Sequence, residues 1–282
     1  MKKLFALLLA LLLAVLSTLA LAEEPVKVSI GATPVPHAEV LEFIKPLMLE
    51  KGYDLQISIF DDYVLPNTAV ESGELDANYF QHTNYMNQQN LEAGLHLVAM
   101  IPVHFEPMGV FKGKTVALED LPDGASIGVP NDTSNEARAL LLLETLGLIE
   151  LNPEAGVLAT KLDITKNEKN IEIVEAQAAS LPRMLQDLDL AVINGNYAMA
   201  DGLSLIDDAV AAEGSDALVY RGSVNWVVVR EGNEEAAFLG ALRECLNDPA
   251  TQAFMTEKYQ GSVVLALDLE AQIAAEAAEA AE

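Results

Sequence analysis

The chain has 282 residues, and its 16 lysines and arginines face 43 aspartates and glutamates, a net charge of −27. Such a polyanionic surface repels phosphate backbones and anionic headgroups, which excludes nucleic acid and anionic lipid as partners and fits a solvated, soluble surface. One cysteine, Cys245, excludes an internal disulfide and sits in no visible catalytic dyad.

In chain order, Lys2 and Lys3 precede an apolar run from Leu4 to Leu16, followed by small residues and Ala20-Leu21-Ala22. That is the pattern of a secretory signal peptide cut before Glu23, with a retained anchor as the alternative. The run is shorter than the ~20 residues that span a bilayer. Loss of residues 1–22 removes Lys2 and Lys3 and no acid, so 14 basic residues would face 43 acidic ones at a net charge of −29. No later stretch is long and uncharged enough for a membrane helix, so a soluble mature protein is expected.

Val26–Ala32 alternates and breaks at glycine as a first strand, residues 37–52 read as a helix closed by Gly52, and Leu55–Phe60 as a second strand. Asp61–Gly73 reads as a loop entering a short helix. An apolar run, Leu97–Val103, and a strand-like segment, Met108–Phe111, follow. Then Lys114–Val116, the turn Pro122-Asp123-Gly124 and Ser126–Val129 open a new series of short strands.

A helix over Ser134–Leu146 is signalled by capping oxygens at Asp132, Thr133 and Ser134, by Glu136 in its first turn and by Gly147 at its end. Ile171–Val174 and Leu190–Ile193 read as buried strands, with helical spacing of Leu181, Met184 and Leu185 between them. Val224–Val229 is a β-branched strand, Phe238–Tyr259 is helical apart from Pro249, and Ala271–Glu282 is a helix or a frayed end. The flanking Leu242 and Leu246 make Cys245 a buried structural thiol.

Alternating strands and helices give an α/β class with parallel sheets. The break in character suits two lobes: residues 23–108 with 224–282 form the first and 109–223 the second, with crossovers near 105–113 and 218–226. Ligands of such proteins sit between lobes at strand ends.

No nucleophile elbow, phosphate-binding loop, dinucleotide fingerprint or His-Glu-x-x-His occurs, which leaves enzymatic readings without a motif. The histidines are His37, His82, His96 and His104. His104 and Glu106 would share one side of a strand, but two residues do not make a zinc site.

Binding leaves a clearer trace. Asp61–Asn67 and Asp76–His82 are polar and aromatic segments after apolar strands, so Tyr63, Phe80, His82 and His104 are candidates to wall a cleft; plain core is the alternative for Tyr79 or Phe80. Arg138, in the first turns of a capped helix, suits a ligand carboxylate, with a salt bridge as the competing reading. Asn194-Gly195-Asn196-Tyr197 follows a buried strand with amides that offer donors and acceptors to a zwitterion and a glycine that permits close approach, although a plain turn would look the same. Asn225 is a weaker candidate of that kind.

The strings ATPVPHAEVLEFIKP, LDANYFQH, VHFEPMG, DLPDGASIGVPND, NEARALLLLETLGLI and AVINGNYA, in order and spacing over about residues 26–265, resemble the methionine-binding lipoprotein family, the substrate-binding components of ABC methionine importers. The resemblance implies a two-lobed type II periplasmic-binding-protein fold that closes on methionine, docks on the importer's membrane permease subunits and catalyses nothing. It implies an aromatic pocket at Tyr63, Phe80, His82 and His104, a carboxylate clamp at Arg138 with Asn135, and head-group contacts at Asn194, Asn196 and Asn225. A thioether against aromatic rings is a favourable contact.

No metal and no cofactor are expected, and a monomer is. Members of the family are usually lipid-anchored through a cysteine after the signal sequence, whereas residues 17–23 contain none, which implies a freely soluble exported protein at the periplasmic or extracellular face. A receptor for a methionine-containing dipeptide or another apolar amino acid, a metal-binding receptor using His104, Glu106 and another histidine, and a hydrolase or transferase using Cys245 or the histidines are the rivals.

Overall fold

The computed structural model describes residues 24–214 and 220–279; the signal-peptide segment lies outside them. Strands β1 (Val26–Ala32), β2 (Tyr53–Ile59), β3 (Ala77–His82) and β4 (Leu97–Phe105) are interleaved with helices α1 (Glu39–Glu50), α2 (Leu65–Ser72) and α3 (Thr83–Ala93). The chain then builds β5 (Gly109–Lys112), β6 (Ser126–Pro130), α4 (Thr133–Thr145), the short ribbon β7 (Glu150–Leu151) and β8 (Ile164–Lys166), β9 (Glu172–Ala176), α5 (Leu181–Met184), β10 (Leu190–Ile193), α6 (Gly195–Ala200) and β11 (Ala209–Ala212). It returns through β12 (Val224–Arg230), α7 (Ala237–Leu246), α8 (Pro249–Tyr259), β13 (Val264–Leu265) and α9 (Leu269–Glu279).

Two sheets result. The first has the order β13-β4-β12-β3-β1-β2, with β1 parallel to β2 and β3 and with β12 antiparallel to β3 and β4. The second runs β11-β5-β10-β6-β9, its β6, β9 and β10 parallel and β5 antiparallel to β10. Each sheet is covered on both faces, so each buries its own hydrophobic cores and the fold is two-lobed. Among the described residues no helix is long and apolar enough to cross a membrane.

Most sequence expectations hold within a residue or two. Asp132 caps α4 by accepting from the Asn135 amide at 3.0 Å, and Gly147 follows it with φ +72. Pro249 opens α8 behind the Asp248 cap, and Cys245 is buried in α7. Leu140, fully buried on α4 in the second lobe's core, anchors that helix. Leu140→Ala should cost about 2–5 kcal/mol of stability, read by denaturant unfolding, because the cavity cannot be refilled.

Two expectations fail. Lys114–Val116 is no strand: the Gly113 and Thr115 amides converge on the Asp189 carbonyl and Lys114 reaches Leu188, a loop geometry without a ladder. Asp76–His82 is not a segment after a strand, since Ala77–His82 is itself a fully buried central strand. Its polar residues are admitted there because they satisfy one another: Asn67 Nδ2 donates to Gln81 Oε1 at 2.9 Å, and Asn78 Nδ2 donates to Asn67 Oδ1 at 2.9 Å.

Candidate functional site

The C-terminal ends of β3, β6 and β10 point at one another across the two lobes, the position where open α/β sheets bind ligands. There the two lobes line a pocket. The first lobe supplies Tyr63, Phe80, His82, Tyr85 and Asn225, and the second supplies Asn135, Arg138, Asn194 and Asn196, with Glu106 between the lobes. All the sequence candidates line it except His104, which is fully buried behind the wall and hydrogen-bonded to Glu106. The expectation that His104 walls the pocket is therefore corrected: its strand turns the ring into the interior.

Hydrogen-bond directions in the pocket can be deduced from one carboxylate. Asp132 only accepts, so Asn135 turns Nδ2 toward it, at 2.9 and 3.1 Å. Asn135 Oδ1 then faces inward and accepts from His82 Nε2 at 3.1 Å and from Asn194 Nδ2 at 2.9 Å. His82 is neutral with its proton on Nε2, because its Nδ1 accepts from the Tyr85 amide at 3.0 Å. Asn194 Oδ1 is left as a buried acceptor with no partner among the described residues, in a residue that is 6% exposed.

Arg138 forms the salt bridge of the competing reading. Nε and Nη2 hold Glu213 at 2.8 and 2.5 Å, and Nη2 also donates to the Glu106 carbonyl at 2.7 Å. The salt bridge is real and buried, yet Nη1 has no partner among the described residues and the side chain lines the pocket. Glu213 also accepts from the Met108 amide at 2.8 Å, which ties the first crossover segment and the end of β11 to α4.

Behind the wall, Glu106 Oε1 lies 2.7 Å from His104 Nε2 and 3.3 Å from His37 Nε2. Burial pushes the Glu106 carboxyl up, opposed by His37, by Arg138 and by the Asn196 amide. Gly195 packs against it: a Cβ there would sit 3.0 Å from the Glu106 Cβ and 3.2 Å from Oε2, so only glycine leaves this carboxylate in place.

Contacts between the lobes close the pocket. Tyr63 Oη donates to Asn196 Oδ1 at 2.6 Å and its ring lies 4.8 Å from that of Tyr197, while Thr133 Oγ1 donates to Glu92 at 2.9 Å.

Gln81, Tyr85, Glu106 as a pocket carboxylate, His37 and Glu213 were not among the sequence candidates. Glu106 carried a usable signal, an acid at a strand end next to Phe105 and Pro107. Glu213 carried none, since its partner is 75 residues away.

Burial lowers His37 to about 4 and His82 and His104 to about 3. The unfolded chain takes up these protons near 6.5 and the folded chain does not, so their contribution is intact above about 6.5 and is lost as pH falls. Each histidine should remove about 1.4 kcal/mol of stability per pH unit below that point. Glu106 and Asp132, raised by burial, act in the opposite sense and offset part of the loss. Denaturant midpoints measured from pH 8 to pH 4.5 should be level above 7 and fall steadily below 6.5.

Two lobes clasping a pocket of aromatic walls and paired amides have the layout of a substrate-binding protein. The chain belongs to the NlpA lipoprotein family, whose model matches residues 28–267. It is 40% identical over 217 residues to the D-methionine-binding lipoprotein MetQ of Salmonella typhimurium, covering 76% of this chain and 79% of that protein. Membrane lipoprotein TpN32 of Treponema pallidum is 39% identical over 237 residues, 84% of this chain and 87% of that one. A nutrient binding protein from Burkholderia cenocepacia, solved bound to methionine, matches with a TM-score of 0.81 at 39% identity, covering 85% of this chain and 99% of that chain.

Proposed function

We propose that this protein captures methionine outside the cytoplasm and delivers it to the membrane permease subunits of an ABC importer, acting as a monomer. The observation that carries the reading is the division of unmet hydrogen-bonding capacity in the pocket. Asn194 Oδ1 and the Glu106 carboxylate call for a donor-rich cation, and Arg138 Nη1 calls for an anion. A free amino acid carries both on one carbon. The rings of Tyr63, Phe80 and Tyr85 form a connected aromatic wall for a thioether side chain.

In this reading the ligand carboxylate meets Arg138, its ammonium meets Glu106 and Asn194, and the lobes, residues 23–108 with 224–282 and residues 109–223, shut around it. Closure is favoured by the ligand because the aromatic wall and the Arg138 side meet only when shut. Residues 1–22 direct export. Relatives bear the name lipoprotein, against which the expectation of a free protein stands; membrane fractionation of intact cells decides whether the chain is tethered at the outer face.

Mass spectrometry of small molecules released by denaturing the purified protein, followed by calorimetry on the refolded protein, tests the ligand. Stoichiometric methionine with matching heat of rebinding is expected. A different amino acid would move the ligand within the same class, and no released molecule together with no heat from any amino acid would overturn the reading.

A further inference from the structure

His37 and His104 are fully buried, touch no solvent and stand outside the pocket wall, yet both rings converge on one oxygen, Glu106 Oε1. Each ring is anchored at its far nitrogen by a hydroxyl: Tyr79 Oη lies 2.5 Å from His104 Nδ1, and Thr33 Oγ1 lies 2.8 Å from His37 Nδ1. A hydroxyl can donate to Nδ1, which sends the imidazole proton to Nε2 and toward the carboxylate. His37 Nε2 forms its hydrogen bond with Asn225 Oδ1 at 3.3 Å, which turns the Asn225 amide nitrogen away from it and leaves Glu106 Oε1 as a neighbour of that ring rather than its acceptor. The two rings meet each other at a tilt and Tyr79 edge-on, so neither can swing without displacing the other.

We propose that His104 is a positioning residue, a neutral N–H donor braced by His37 that holds Glu106 ionised and fixed at the pocket wall, so that the site demands a protonated α-amine and rejects the α-hydroxy analogue of its ligand. This rests on the methionine reading above. The physical reason is that a buried carboxylate without donors takes up a proton instead of staying charged, and a neutral carboxyl no longer distinguishes an ammonium from a hydroxyl. Neutral imidazoles suit the task better than imidazolium, because they leave the negative charge of Glu106 uncancelled for the ligand. The titratable groups around Glu106 are His37, His104, Tyr63, Tyr79, Tyr259 and Arg138, and of these Arg138 alone is charged near neutral pH, its charge already shared with Glu213.

The same three side chains also form the donor set of a small transition-metal site, with ligand atoms within 4.8 Å of one another. The two uses exclude each other, since a metal needs bare Nε2 atoms and the proposed role needs that of His104 protonated.

The test is calorimetry of the full protein with methionine and with its α-hydroxy acid analogue, across pH, for the parent, His104→Phe and His104→Gln. The parent should prefer methionine by about 10- to 100-fold, the worth of a hydrogen bond to a charged group. His104→Phe should erase most of that preference by weakening methionine alone, and should move the acid-side loss of methionine binding to higher pH, because Glu106 then protonates more readily. His104→Gln, which restores an N–H near Nε2, should recover both. Should His104→Phe not fold, ¹⁵N NMR of the parent histidines still decides: Nε2–H tautomers at His37 and His104 are expected, and Nδ1–H tautomers or imidazolium would overturn the proposal. Equal affinity of the parent for the two ligands, an equal loss of both in His104→Phe, or stoichiometric zinc bound through these residues would also overturn it. A parent that binds neither compound would instead sink the methionine reading.

Discussion

Arg138→Ala should weaken methionine binding by about 2–5 kcal/mol, the cost of removing one partner of a buried charge pair. On the proposed reading the guanidinium has two duties, and the experiment must separate them. Nε and Nη2 neutralise Glu213, which is almost fully buried, so the substitution also strands a carboxylate and should cost about 3–5 kcal/mol of stability. Pairing Arg138→Met with Glu213→Gln removes both charges and should recover most of the stability without recovering any affinity. Calorimetry and thermal unfolding on the single and double variants read the two duties apart. Affinity that returned with stability would show that Arg138 serves the fold alone and that the ligand's carboxylate is held elsewhere.

Glu106→Gln should be nearly as damaging to binding, at a smaller cost to the fold. Glutamine can still accept from His104 through Oε1, but its amide nitrogen then faces the Asn196 amide that the carboxylate accepts from and points donors at the ligand's ammonium. Losing the charge-assisted bond costs about 1.5–3 kcal/mol of affinity, before any donor-to-donor conflict is counted. The sign of the pH effect follows from burial, which raises the Glu106 carboxyl. In the parent, methionine affinity is full above that raised value and falls as the pH drops through it; in Glu106→Gln this acid-side fall should vanish. Calorimetric titrations at pH 8, 7, 6 and 5 check it, and an unchanged pH profile would remove Glu106 from the ligand's head group.

Much of the fold was legible in sequence because its signals are local. The strand Leu190–Ile193, the Asp132 cap with Gly147 at the far end of α4, and the break at Pro249 all depend on residues within a few positions of one another. Strand Ala77–His82 was not legible, because amides at Asn78 and Gln81 argue for a loop until Asn67, on another element, satisfies them. Lys114–Val116 failed for a similar reason, since its amides pair with Leu188 and Asp189 some 74 residues along the chain.

The same division runs through the site. The sequence by itself determined which residue types gather at the cleft: aromatic rings after β2 and on β3, amides after β10, and an arginine on a capped helix. Only the tertiary structure decided what each is free to do. It placed Glu213 on two of Arg138's three nitrogens, turned His104 from the wall to the interior, brought His37 to Glu106 and left the carbonyl oxygen of Asn194 without a partner. Hydrogen-bonding capacity is a property of what remains after neighbours have taken their share, and those neighbours are set by the packing of two lobes.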